Sequence, residues 1–201
     1  MDAFVLIVSS PSGGGKTTIV NELLKKDRTA KRVVTATTRS PRKGEKDGKD
    51  YHFWSVKKFQ SAIKNNKMAE WANVFTDYYG VPKESLDTVL KKGLIPVLVI
   101  DVQGQKSIKK HYKNAVSVFI LPPSWNELKK RLLARPGGTN NIDVRLKTAK
   151  KEVAQVKKFD YVIVNDKLDG AVNALSKIIF AEKHKTQRKK PAINRLKQKR
   201  R

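Results

Sequence analysis

Cysteine is absent from the 201 residues, which excludes disulfides and thiolate metal centres and fits a reducing compartment. Long hydrophobic runs are absent too. The apolar stretches have strand length, far below the roughly 18 to 20 residues that span a bilayer, and no basic segment precedes the first of them as a secretory leader would require. A soluble, cytoplasmic protein without a membrane partner is expected. Acidic residues are scarce: 18 Asp and Glu face 44 Lys and Arg, for a formal net charge of +26. Ten of the 44 fall within residues 182–201 beside a single Glu, so the rest of the chain still carries 34 against 17. Such a surface suits polyanions, either nucleotides or RNA. For the body, solvated lysines are the simpler reading. The tail, 183–201, is charge-dense and nearly free of large apolar residues, and is expected to be disordered and to contact nucleic acid non-specifically.

What the chain does have is a rhythm. Apolar runs recur at "FVLIV", "RVVTATT", "IPVLVID", "AVSVFIL" and "YVIVN", separated by helix-spaced segments at 17–26, 103–111, 125–134, 142–158 and 168–182. That alternation predicts an α/β fold, a parallel sheet flanked by helices. Ser124 is a candidate cap for the helix at Trp125, and Asp166 or Asp169 for the last helix. Residues 40–93 follow a different grammar: "YHFWS" as a short strand, Ser55 capping "VKKFQSAIKNN", "AEWANVF" as a strand and "DYYG" as a turn. They predict a small α+β subdomain. "ARPGGTNN" (134–141) has the Gly and Pro content of a flap.

Behind the first apolar run stands "SSPSGGGKTT". Gly15-Lys16-Thr17 completes the phosphate-loop pattern G-x-x-x-x-G-K-[ST], while Ser10 occupies the place of its first glycine. A strand leading into Ser12, Gly13, Gly14 and Gly15 and then into a helix points backbone N–H groups and the positive helix end at one anion. Lys16 would meet the β- and γ-phosphates of a nucleotide, with Thr18 beside it, and the Thr17 hydroxyl is suited to Mg²⁺. Ser10 is expected to be tolerated, since the first position turns the chain and need not face the phosphates.

In order and spacing, "SSPSGGGKTT", "TATTRSPRKGEKDGKDYHF", "AEWANVFTDYYG", "VIDVQG", "KKRLLAR" and "YVIVND" resemble guanylate kinase from about Phe4 to Glu182. The resemblance implies a P-loop NTPase fold with core segments 1–39 and 94–182, a GMP-binding insert at 40–93 and a lid at about 134–145. It implies Mg²⁺-dependent transfer of the γ-phosphoryl group of ATP to GMP in purine nucleotide metabolism, by a monomer or homodimer.

Phosphoryl transfer needs aligned phosphates and neutralised equatorial charge, so the protein supplies cations and geometry. Arg39 and Arg42, flanking Pro41, can fork onto an acceptor phosphate, and the resemblance adds hydroxyl donors from Tyr51 and Tyr79. It assigns Glu70 to the adjacent N1–H and N2–H₂ donors of guanine, with Thr35 and Val81 in the base pocket. It makes Asp101 a GMP-site and Mg²⁺ carboxylate, although a helix-capping role competes and is compatible. Arg131, Arg135 and Arg145 around the flap would supply charge to the transferring phosphoryl group, and Asn165 would meet the adenine of ATP. Val81 stands where the family usually has Ser or Thr, and Val99 where it commonly has a second carboxylate, so acceptor recognition looks thinned. The alternative is a guanylate-kinase-like module that binds protein or nucleic acid with weak or no kinase activity. Such modules typically lose the phosphate loop, whereas this chain retains Gly15, Lys16 and Thr17 together with Arg39 and Arg42, which favours the enzyme.

Overall fold

The structure, a computed structural model, describes residues 4–74, 76–134, 141–190 and 193–195. The chain runs β1 (Leu6–Ser9), α1 (Lys16–Lys26), β2 (Ala30–Arg32), β3 (Ala36–Thr37), β4 (His52–Phe53), α2 (Val56–Lys64), β5 (Met68–Val74), β6 (Asp77–Pro82) and α3 (Lys83–Lys91). It continues through β7 (Ile95–Val99), α4 (Val102–His111), β8 (Val116–Leu121), α5 (Trp125–Leu133), α6 (Ile142–Val153), β9 (Tyr161–Val164) and α7 (Leu168–His184). Five strands form a wholly parallel sheet in the order β2-β7-β1-β8-β9, as the apolar runs predict.

Strand alternation explains how the sheet is covered. Leu6 and Val8 of β1 pack on one face with Ile19 and Leu23 of α1 and Leu175 and Ile179 of α7. Val5 and Ile7 point the other way, towards Leu86 of α3 and Ile108 of α4, alongside Leu98 of β7. Both faces are buried, so β1 reads as a continuous apolar run. The carboxyl end of β1 therefore emerges from a rigid layer and feeds the glycine loop directly.

The expected insert is a second sheet, order β4-β3-β6-β5, backed by α2. Ser55 caps α2 by accepting from the Lys58 N–H at 3.2 Å, and Ser124 caps α5 by accepting from the Glu127 N–H at 3.1 Å. Several expectations need correction. "RVVTATT" is not one strand: β2 joins the parallel sheet, whereas Ala36 and Thr37 pair with Gly80 and Tyr79 of β6 in the small sheet. "DYYG" is not a turn but most of β6, hydrogen-bonded on both sides, where two tyrosines suit a pleated surface. α3 was not anticipated, and α7 begins after Lys167 with neither Asp166 nor Asp169 as its cap.

The tail departs from the expected disorder as far as residue 190. α7 extends to His184 and residues 186–189 form a 3-10 turn. The buried Glu182 carboxylate accepts from Arg188 at 3.0 Å and from the Tyr161 hydroxyl at 2.6 Å, and the Arg188 guanidinium lies 4.3 Å from the Phe4 ring centre. A buried carboxylate needs such a partner, which fixes this turn at the amino ends of the strands. The end of the expected tail, 196–201, and half of the expected lid (135–140), Arg135 included, lie outside the described residues.

Candidate active site

Gly13 and Gly15 adopt left-handed backbone, φ +86° and +90°. Only glycine enters that region without strain, and both positions are also crowded: a Cβ on Gly13 would press on Leu128 and Leu132 of α5, and one on Gly15 would collide with the Asn165 amide. Ser10 is buried with its hydroxyl donating to the Pro11 carbonyl at 2.9 Å, and Gly14 N–H donates to the same carbonyl at 2.9 Å. Its side chain therefore turns into the loop's own backbone, which is why serine serves at this position. Asn165 Nδ2 donates to the Gly14 carbonyl at 3.0 Å, and Arg131 donates to the Asn165 carbonyl at 3.3 Å. Both end strand β9 and helix α5 onto the loop.

A cavity of about 210 Å³ opens beside this loop at the carboxyl ends of the strands, where ligands bind in open α/β sheets. Lys16 lines one side; Thr35, Tyr51, Glu70 and Tyr79 of the small subdomain line the other, with Asp101 and Glu152 between. Glu70 is buried while its neighbour Trp71 is 45% exposed, as alternation along β5 requires. Its carboxyl lies against Gly104, where a Cβ would stand 2.9 Å from Oε2, so a glycine in the first turn of α4 admits it. Asp101 is the cap of α4, its Oδ1 accepting from the Gln103 and Gly104 N–H groups at 3.0 and 2.8 Å. The capping role is thus real and engages Oδ1.

Burial, reinforced by the Asp101 carboxylate, pushes the Glu70 carboxyl up to about 8. Burial also raises Glu152, an effect that Lys16 and the Ser12 N–H oppose. Glu152 Oε2 is buried with no hydrogen-bond partner among the described residues. Donors line the cavity at Lys16, Thr35, Tyr51 and Tyr79, and three carboxyl groups, Glu70, Asp101 and Glu152, add acceptors: the ionised Glu70 asks for a paired hydrogen-bond donor, and Asp101 and Glu152 for a cation near them.

Towards the mouth, the Arg39 guanidinium lies over Tyr51 at 5.6 Å and Phe53 at 5.8 Å, and its Nη2 donates to both oxygens of Glu45 at 2.9 Å. Glu45 also accepts from the Arg42 N–H at 2.7 Å, closing the turn that presents Arg42, whose side chain is exposed. Burial raises the Tyr51 phenol, so it remains a donor at neutral pH. Arg145 of α6 reaches the phosphate loop, donating to Ser12 Oγ at 3.3 Å, whereas Arg131 Nε is held by Glu127 at 2.9 Å on its own helix. Thr17 and Thr18 open α1 with exposed side chains.

Val81 corrects an expectation. It is wholly buried in the core with Val5, Leu98 and Ile100 and does not line the cavity, although it sits opposite Glu70 in the β5–β6 ladder. Three participants were missed. Glu45 lies inside the same "TRSPRKGE" motif as the arginines, Glu152 follows Arg145 by seven residues and so shares its helix face, and the Gly104 signal is a glycine in a first helical turn.

Residues 3–182 match the family model for guanylate kinase. Guanylate kinase of Clostridium tetani (strain Massachusetts / E88) is 42% identical over 190 residues, 94% of this chain and 91% of that protein. Guanylate kinase of Rickettsia prowazekii (strain Madrid E) is 41% identical over 184 residues, 90% and 92% of the two chains. The crystal structure of guanylate kinase from Anaplasma phagocytophilum superposes with a TM-score of 0.78 at 37% identity, covering 92% of this chain and 89% of that one. With a phosphate loop on one wall of the cavity and a buried carboxylate on the other, and with relatives alike over nearly their whole length, the chain belongs to the guanylate kinase family.

Proposed function

We propose that the enzyme transfers the γ-phosphoryl group of ATP to GMP, giving ADP and GDP. The observation that carries this reading is the single cavity joining Lys16 of the phosphate loop to Glu70. A carboxylate matches the adjacent N1–H and N2–H₂ donors of guanine, and adenine has no such pair. Thr35 borders the base site; Arg39, Arg42, Tyr51 and Tyr79 receive the acceptor phosphate. The N–H groups of Ser12 to Thr18 and Lys16 hold the ATP phosphates, with Arg145 beside Ser12 and Arg131 and Arg135 at the lid. Positioning and charge neutralisation then carry most of the catalysis.

Mg²⁺ suits the donors present. Among the described residues no group of three or more His, Cys, Asp or Glu forms a cage for a metal ion, which fits an ion that keeps waters and arrives on substrate phosphates. Thr17 and Asp101 would hold it, the latter through the oxygen not engaged in capping, and the ion would neutralise charge on the phosphates. Among the described residues no helix is long and apolar enough to cross a membrane, and a cytoplasmic enzyme meeting soluble nucleotides follows from this reading. A coupled assay of the purified chain with ATP, Mg²⁺ and each of GMP, dGMP, AMP, UMP and CMP tests it. Turnover confined to guanine nucleotides is expected; no GDP at high enzyme concentration overturns it.

A further inference from the structure

The small sheet has two faces. Tyr51 and Phe53 point to the acceptor site, so alternation turns His52 and Trp54 to the opposite side, where a separate groove of about 920 Å³ lies between β2, β4, α2 and α3. β2 and β4 are both edge strands of their sheets. The rings of His52 and Trp54 are stacked, 26° between planes and 6.3 Å between centres, and Lys58 Nζ lies 4.7 Å from the centre of the Trp54 ring. Lys31, Arg32, Lys58, Lys67 and Lys83 line the groove against one carboxylate, Glu84. Among the described residues none of these five cations is ion-paired. The nearest partners are neutral: Arg32 donates to the Asp50 carbonyl at 3.4 Å and Lys83 to Asn66 Oδ1 at 2.9 Å.

Unpaired like charges around one groove repel each other, and a chain of phosphates relieves that repulsion while releasing its own counterions. Stacked aromatic rings among such cations are the platform on which unpaired bases bind, with little regard to sequence. A duplex hides its base faces in its own stack and cannot use them. We propose that this groove binds single-stranded nucleic acid, independently of the kinase site on the other face. The phosphates run along the lysines, and a base stacks on the His52–Trp54 pair.

The test uses the full chain and a fluorescein-labelled uridine dodecamer, followed by anisotropy between 50 and 200 mM KCl. The triple variant Lys31→Gln/Lys58→Gln/Lys67→Gln removes three exposed charges without touching the core. Each phosphate contact contributes about 0.7 to the salt slope for a single strand, so the slope should fall by about 2, with affinity at least about tenfold weaker and GMP turnover unchanged. His52→Ala should lower affinity about fivefold or more with the slope retained, because it removes stacking and no fixed charge. An unchanged slope and affinity in the triple variant would assign binding to other cations, those of the tail included, and overturn the proposal. So would failure of the wild-type chain to bind at 50 mM KCl, or tighter binding of a duplex of the same length.

Discussion

Glu45 holds Arg39 with both carboxylate oxygens 2.9 Å from one guanidinium nitrogen, while the Ser40 carbonyl accepts from the other at 2.6 Å. The guanidinium is thereby held over Tyr51 and Phe53 in the free protein, and in its proposed role this would lower the ordering cost of binding an acceptor phosphate. Glu45→Gln keeps the size and weakens the grip. Losing about 1.4 kcal/mol of a charge-assisted contact corresponds to tenfold, so the KM for GMP should rise about tenfold while the KM for ATP stays put. Steady-state kinetics with each substrate varied decides this, and equal changes in both constants would point to a general loosening of the fold.

With Glu70 in the proposed role of reading guanine, its carboxyl, raised to about 8 chiefly by burial, should make acceptor binding depend on pH. Guanine presents donors, so only the ionised form accepts from both. In the free enzyme about one molecule in ten carries that form at pH 7 and about nine in ten at pH 9. kcat/KM for GMP, which reports the free enzyme, should therefore rise about tenfold over this interval and bend near 8. Glu70→Gln should be slow and flat over the same range. A wild-type profile already level between pH 7 and 9 would mean that Glu70 is ionised well below 8.

Val81→Ser places a hydroxyl in a fully buried apolar site and removes a methyl group. A dry, unpaired hydroxyl costs about 1 to 3 kcal/mol, so the urea midpoint should fall by a corresponding amount. Since the side chain faces the core, the KM for GMP should stay within about twofold. A lower KM with undiminished stability would place position 81 in the base pocket after all.

That residue marks the boundary of what the sequence makes legible. The parallel sheet is plain because strands buried on both faces are continuous apolar runs, and the phosphate loop is plain because Gly15-Lys16-Thr17 is local. Glu70 and Trp71 follow from alternation. Val81 does not, because its burial comes from α3 and the neighbouring parallel sheet, partners brought by long-range packing. "RVVTATT" looks like one strand because all its residues favour strands; only the pairing partners across β6 and β7 divide it. Arg188 counts as a tail charge in any composition, and only the buried Glu182 six residues earlier shows why that turn is ordered.

Asn165 offers the sharpest test of position against contact. Its amide is buried and donates to the Gly14 carbonyl at 3.0 Å, between the two left-handed glycines, and its own carbonyl accepts from Arg131 at 3.3 Å. Asn165→Ala leaves a loop carbonyl without its partner and frees the turn that aims the N–H groups at the phosphates, which should raise the KM for ATP about tenfold. Asn165→Asp should be worse, because a carboxylate oxygen would face that carbonyl. Loop positioning acts on phosphates whatever the base, so inorganic tripolyphosphate, used as a competitor of ATP, should lose affinity in Asn165→Ala by about the same factor. If tripolyphosphate binds the variant as well as the wild type while ATP weakens, the side chain contacts adenine and the loop does not depend on it.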